Sequence, residues 1–147
     1  MKKMKLTDEV TVGSAMQAED FVEAKAQGFA SIINNRADSD KNLVITPAEE
    51  EQEAAKNGLS YRHVPMRSGT LSIKASKAFA AAMAEMPKPI LAHCGGATRS
   101  ATLWALAQAA NGMDAEKILR ITGDAGFDFA HLAPLFRGLK DDAASES

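Results

Sequence analysis

Short apolar runs alternate with helical stretches of about ten to fifteen residues along this chain, and that alternation restricts its fold more than any other feature. "KLTDEVTVG", at 5–13, reads as a short edge strand or hairpin. "FASIINN", "LSYRHVP" and "KPILAH" read as three further strands. Between them, "SAMQAEDFVEAKAQG" predicts a helix with Ser14 as N-cap, an apolar stripe of Met16, Phe21, Val22 and Ala26, and a stop at Gly28. The loop "RADSDKNLVI" leads to a second helix opening at Thr46-Pro47. There the proline suits the first turn, and Glu49, Glu50 and Glu51 suit the positive end of the dipole.

Ser72 predicts the cap of a third helix, reaching about Met86. A fourth is expected from about Arg99 to the Asn111-Gly112 stop, carrying Leu103, Trp104, Leu106, Ala107 and Ala110. "DAEKILRITGDAG" and "DFAHLAPLFRGL" predict two more helices, with Pro134 in an early turn or at a kink. The expected fold class is α/β: three layers, with a mostly parallel central sheet flanked by helices. At 147 residues the chain suits one domain over 1–139, followed by a flexible polar tail, "KDDAASES", at 140–147.

Composition narrows the function. A net charge of −2 argues against nucleic acid and anionic membranes as partners, although a small anionic substrate stays compatible with it. A single cysteine forms no internal disulfide and builds no thiolate-rich zinc site. His63, His93 and His131 lack metal-ligand spacing, so no metal and no cofactor are expected. The lysines of "MKKMKLTDEV" precede no apolar run, and the expected location is the cytoplasm, where a lone thiol stays reduced.

That one thiol, Cys94, stands where a buried strand ends. In α/β sheets ligands bind at the carboxyl ends of strands. Gly95 and Gly96 follow, free to adopt positive φ and turn successive amides inward as an anion nest, with Ala97 and Thr98 completing the loop. Arg99 adds a planar fork of donors, and the incoming helix contributes its N-terminal N–H groups. Helix N-termini and arginines favour the thiolate, so Cys94 is a candidate nucleophile and Arg99 a candidate anion binder. Ser100 is expected to hydrogen-bond the sulfur. His93 should face away from Cys94, because neighbours on a strand alternate. Its ring is expected to bond to backbone and stiffen the loop.

With these residues in place, the chain resembles the beta-lactamase-hydrolase-like phosphatase-like domain family, also described as a sulfur transferase family. The resemblance runs from about residue 12 to about residue 111 and rests on "GFASIINNRADSD", "LSYRHVPMRSGTLS", "PILAHCGGATRS" and "ATLWALAQA". It implies a fold like that of the dual-specificity phosphatases, with Cys94 as nucleophile and Arg99 as the anion-binding arginine. The chain departs from the family in two places. Arg36-Ala37-Asp38 stands where members read Arg-Pro-Asp, and Gly95-Gly96-Ala97 where many read Arg-Ser-Gly.

Both reactions attached to the family are compatible with Cys94. Cysteine phosphatases place five residues between cysteine and arginine; here there are four, as in rhodanese-type sulfurtransferases. The region "HVPMRSGTLS", where a dual-specificity phosphatase carries its acid, has no carboxyl group. Asp38 is the nearest replacement, unless it forms an Asx turn or an ion pair with Arg36. Sulfur transfer needs no acid. The leading expectation is therefore a sulfurtransferase that carries a persulfide on Cys94. It would take a small anionic sulfur donor and an external thiol acceptor, with a separate persulfide-processing enzyme as a candidate partner. The alternative is a phosphomonoester hydrolase acting through a phosphocysteine. A third is a redox-sensing or anion-binding module without turnover.

Overall fold

The computed structural model describes residues 1–41 and 43–146; Asn42, in the loop expected after the second strand run, and Ser147, at the end of the expected tail, lie outside the described residues. Five strands form one sheet. β1 (Lys3–Lys5) pairs antiparallel with β2 (Val10–Gly13), as the hairpin reading of 5–13 anticipates, although the first strand lies earlier. β3 (Ser31–Asn34), β4 (Ser60–His63) and β5 (Ile90–His93) are parallel, and the strand order is β1-β2-β5-β3-β4. The strand carrying the Cys94 loop is therefore central, with β2 on one side and β3 on the other.

Helices cover both faces. α1 (Ala18–Ala26) and α2 (Pro47–Lys56) lie over a smaller apolar cluster that includes Met16, Phe21, Ile32 and Leu91. α3 (Ile73–Glu85), α4 (Thr98–Ala110), α5 (Ala115–Asp124) and α6 (Ala133–Glu146) enclose a larger one around Phe79, Leu103, Trp104 and Phe136. The α/β layered class is as expected. Alternation along β5 explains the split: Ile90 and Ala92 join the larger cluster, and Leu91 the smaller. α4 is packed so deeply that Leu103, Trp104 and Leu106 are fully buried. Truncating Trp104 to alanine in such a site costs about 3–5 kcal/mol.

Local chemistry accounts for three of the helix starts. Thr46 Oγ1 accepts from the Glu49 amide, and Glu49 Oε1 accepts from the Thr46 amide, a reciprocal capping box behind Pro47. Ser72 Oγ accepts from the Ala75 amide, as expected. Ser14 is not a cap. α1 is capped by Gln17, with Asp20 bonding back to the Gln17 amide. Ser14 Oγ instead accepts from the Lys2 amide, tying β1 to the end of β2. The stripe of α1 is narrower than its sequence suggested, because Phe21 and Ala24 point inward while Val22 is 58% exposed and Ala26 is exposed.

The expected polar tail has regular structure: α6 continues through 140–146, and Lys140 pairs with Asp114 ahead of α5. Pro134 falls in the first turn of α6, where its missing N–H has no intrahelical partner to lose. No helix among the described residues is long and apolar enough to cross a membrane.

Candidate active site

Cys94 leaves β5 directly. Its amide donates to the Gly13 carbonyl of β2 at 3.3 Å, while the carbonyl of His93 accepts from Asn35 at the end of β3, at 2.7 Å. The Gly95 carbonyl accepts from Ala15, and Gly96 bridges to Ser14. Neighbouring strands thus brace the turn on both sides. α4 begins at Thr98, and the N–H groups of its first turn have no intrahelical acceptors.

The turn is made differently from the expectation. Ala97, and not Gly95 or Gly96, holds the left-handed conformation, with φ 78° and ψ −20°, immediately before α4. For an alanine this conformation costs about 1–2 kcal/mol. The packing around its fully buried side chain offsets that strain. Gly95 serves close approach: a Cβ there would lie 3.2 Å from Arg99 Nη2.

Arg99 folds back over the turn and is held on its terminal edge. Nη1 donates to Asp40 Oδ1 at 2.9 Å and to the Met66 carbonyl at 3.0 Å, and Nη2 donates to Asp40 Oδ2 at 2.7 Å. A guanidinium carries five N–H donors and these contacts use three, so donors are left over for an anion. Asp40, above all, and Cys94 keep this arginine charged, raising its pKa further above the ordinary value. Asp40 is correspondingly held below the usual carboxylate range, first by its hydrogen bonds to Arg99 and then, against the opposing effect of burial, by Arg36.

Several sequence-predicted residues take other roles. Ser100 is fully buried, and its hydroxyl donates to Asn35 Oδ1 at 2.7 Å, which commits its proton to asparagine and not to the Cys94 sulfur. Asn35 also donates from Nδ2 to the Val64 carbonyl at 2.8 Å, so it joins the ends of β3 and β4 to the start of α4. Asp38 is exposed, and the carboxylate paired with Arg36 belongs to Asp40: Arg36 Nε donates to Asp40 Oδ2 at 3.1 Å. Arg36 therefore supports the Asp40–Arg99 pair.

His93 faces the α2 side of the sheet, away from Cys94, as alternation requires. Its partner is a side chain, however, and not backbone. Nε2 lies 2.8 Å from Glu50 Oε1, with both residues buried. Tyr61 donates to the same Glu50 oxygen at 3.4 Å and accepts from Asn34 Nδ2 at 3.0 Å. Burial, and then the Glu50 charge, pushes the Tyr61 phenol well above its ordinary value. His93 Nδ1 is buried and has no hydrogen-bond partner among the described residues.

Asp40, Asn35 and Glu50 are the residues that sequence reading missed. Asp40 lies only two positions beyond Asp38, and a turn closed by its amide on the Ala37 carbonyl brings it, and not Asp38, onto Arg99. Arg36, Ser39, Asp40, Lys41, Arg67, Ser68, Gly95 and Arg99 surround a cavity of about 470 Å³. Four cationic side chains and one carboxylate line it, against the negative sign of the whole chain. Cys94 itself is 1% exposed, and it lies next to the Gly95–Arg99 wall of that cavity.

A cysteine–loop–arginine turn between a central parallel strand and a buried helix, in a three-layer α/β domain, defines a cysteine-phosphatase-like fold. The model of the family described as beta-lactamase hydrolase-like protein, phosphatase-like domain, matches residues 3–111, and the chain belongs to that family. A beta-lactamase hydrolase-like protein of Agrobacterium fabrum is 34% identical over 112 residues, covering 76% of this chain and 26% of that protein. The chain thus spans about a quarter of that relative's length.

Among solved structures, a candidate phosphatase from Neisseria meningitidis superposes with a TM-score of 0.79 at 23% identity, covering 92% of this chain and 96% of that one. Tk-PTP in its active form does so with a TM-score of 0.75 at 17% identity, covering 95% and 96%. At these identities the likeness shows the fold.

Proposed function

We propose that the domain is a cysteine-dependent phosphoester hydrolase. One observation carries this reading: Arg99, fixed by Asp40, and the start of α4 flank Cys94 on one turn, next to a cavity lined by Arg36, Lys41 and Arg67. A phosphoryl group has the charge and the equatorial oxygens that such donors match. The family and the phosphatase names among the structural neighbours support it.

The Cys94 thiolate attacks phosphorus, the ester oxygen leaves with the bonding pair, and a phosphocysteine forms. Water then displaces the sulfur, releasing phosphate and regenerating the thiolate. The leaving oxygen takes its proton from solvent, because the carboxylate in the cavity, Asp40, is kept ionised by two arginines. Rates should therefore depend steeply on leaving-group basicity, with aryl and acyl phosphates outrunning alkyl ones.

Sulfur transfer is the second reading, favoured by the four-residue loop and by the same ionised Asp40, since a persulfide forms on Cys94 without an acid. With one cysteine in the chain, the sulfur would pass to an external thiol. The redox-sensor reading gains nothing from the structure, because sensing thiols are solvent-accessible and Cys94 is buried. Two assays separate the first two readings. Phosphate release from an aryl phosphate, lost in Cys94→Ser, supports the hydrolase. Thiocyanate from thiosulfate and cyanide, without phosphate release, would replace it with the transferase.

A further inference from the structure

We propose that a second cleft, beside the cationic cavity, receives the leaving group of the substrate, and that it selects an apolar and uncharged group, an aromatic ring above all. The inference rests on the hydrolase reading. The cleft encloses about 400 Å³, within the range of small-molecule sites. Met66, Leu71, Phe129 and Leu132 give it apolar lining, and Thr102 and Asp128 line it as well.

Arg99 is the link, because it lines both the cationic cavity and this cleft. In an in-line displacement the leaving oxygen departs opposite the attacking sulfur, so the ester substituent runs outward from the Cys94 turn. A phosphoryl group on Arg99 has these two openings beside it. The cavity, with Arg36, Lys41 and Arg67, attracts negative groups. The cleft attracts them less: Arg99 is its one arginine or lysine and is already paired with Asp40, and its acidic side chain, Asp128, has no cationic partner among the described residues.

Its apolar surface is also incompletely used by the fold. Leu71 is 51% exposed, a large aliphatic side chain left in water at the cleft mouth. An aromatic ring laid against it would remove that surface from solvent. Asp128, Phe129, His131 and Leu132 lie beyond residue 111, where the family match ends, so this wall is supplied by the chain's own C-terminal elements.

The test compares kcat/KM for 1-naphthyl phosphate, 4-carboxyphenyl phosphate and acetyl phosphate in the full chain and in Leu71→Ser and Asp128→Asn. Leu71 is exposed and Asp128→Asn keeps the acceptor that holds the Ala130 amide, so both variants should fold. In Leu71→Ser the naphthyl-to-acetyl ratio is expected to fall about fivefold, the loss of roughly half a leucine's burial. In Asp128→Asn the carboxyphenyl-to-naphthyl ratio is expected to rise about threefold, as a like-charge repulsion near the surface is removed. Ratios unchanged in both variants, with turnover still dependent on Cys94, would overturn the cleft and leave the hydrolase standing. No Cys94-dependent phosphate release from any of the three compounds would overturn the hydrolase reading and the cleft with it.

Discussion

Arg99 and Asp40, fifty-nine positions apart in the chain, meet end-on: both terminal nitrogens of the guanidinium donate to both oxygens of the carboxylate, at 2.9 and 2.7 Å. This pair fixes the arginine's terminal edge while its Nη2 stays close to Gly95 of the Cys94 loop. Replacing Asp40 by asparagine leaves two arginines beside a neutral amide, and should cost about 2 kcal/mol of stability at neutral pH. The pH dependence has a definite sign. The carboxyl is depressed in the folded state, so its contribution is present above the unfolded value near 3.8 and lost as pH falls through the lower folded one. Denaturant unfolding of wild type and Asp40→Asn should differ at pH 7, and the difference should shrink as pH falls below the unfolded value near 3.8.

Arg99→Lys replaces a fork with a point charge. It surrenders the bidentate contact to Asp40 and the Nε edge together. Phosphate release is expected to drop by about 10²–10³-fold in kcat/KM, as when a preorganised donor to a developing charge is removed. The loss should exceed any accompanying loss of stability; activity within a few-fold of wild type would remove Arg99 from the chemistry.

Ala97 carries the only left-handed non-glycine backbone among the described residues. A β-branched residue tolerates that conformation far less well, and the site has no room for two more methyl groups. Ala97→Val should lower stability by about 2 kcal/mol or more, measured as a reduced denaturation midpoint at unchanged slope.

Tyr61 is the only tyrosine in the chain, so its titration can be read directly in the ultraviolet. Burial and Glu50 keep its phenol protonated in the folded state far above the ordinary value of 10.0. The folded protein should show no tyrosinate absorbance at about pH 10–11, where unfolded chain is already ionised. Because the folded value is raised, stability from this group is complete below about pH 10 and declines above it. A normal tyrosinate transition in folded protein would refute the partly buried Glu50–Tyr61 contact.

Local pattern carried a large share of the architecture. The Thr46-Pro47 start and the Ser72 cap mark α2 and α3, the apolar runs mark the parallel strands, and period two on β5 already separated His93 from Cys94. Ser14 misled because a hydroxyl near a helix start also suits a strand bridge, and here the Lys2 amide takes it. Ser100 misled for a related reason. Its position after Arg99 fits a sulfur contact, but its proton goes to Asn35, which directly follows β3.

By itself, then, the sequence determined the α/β layering, the family and the pairing of Cys94 with Arg99 on one turn, since each depends on residues close together or on repeating apolar spacing. The tertiary structure decided which charges face that turn. Asp40 and not Asp38 meets Arg99, Glu50 meets His93, and the C-terminal segment walls the second cleft. Such contacts join residues tens of positions apart, and their partners follow from strand order and loop closure, which no local spacing encodes.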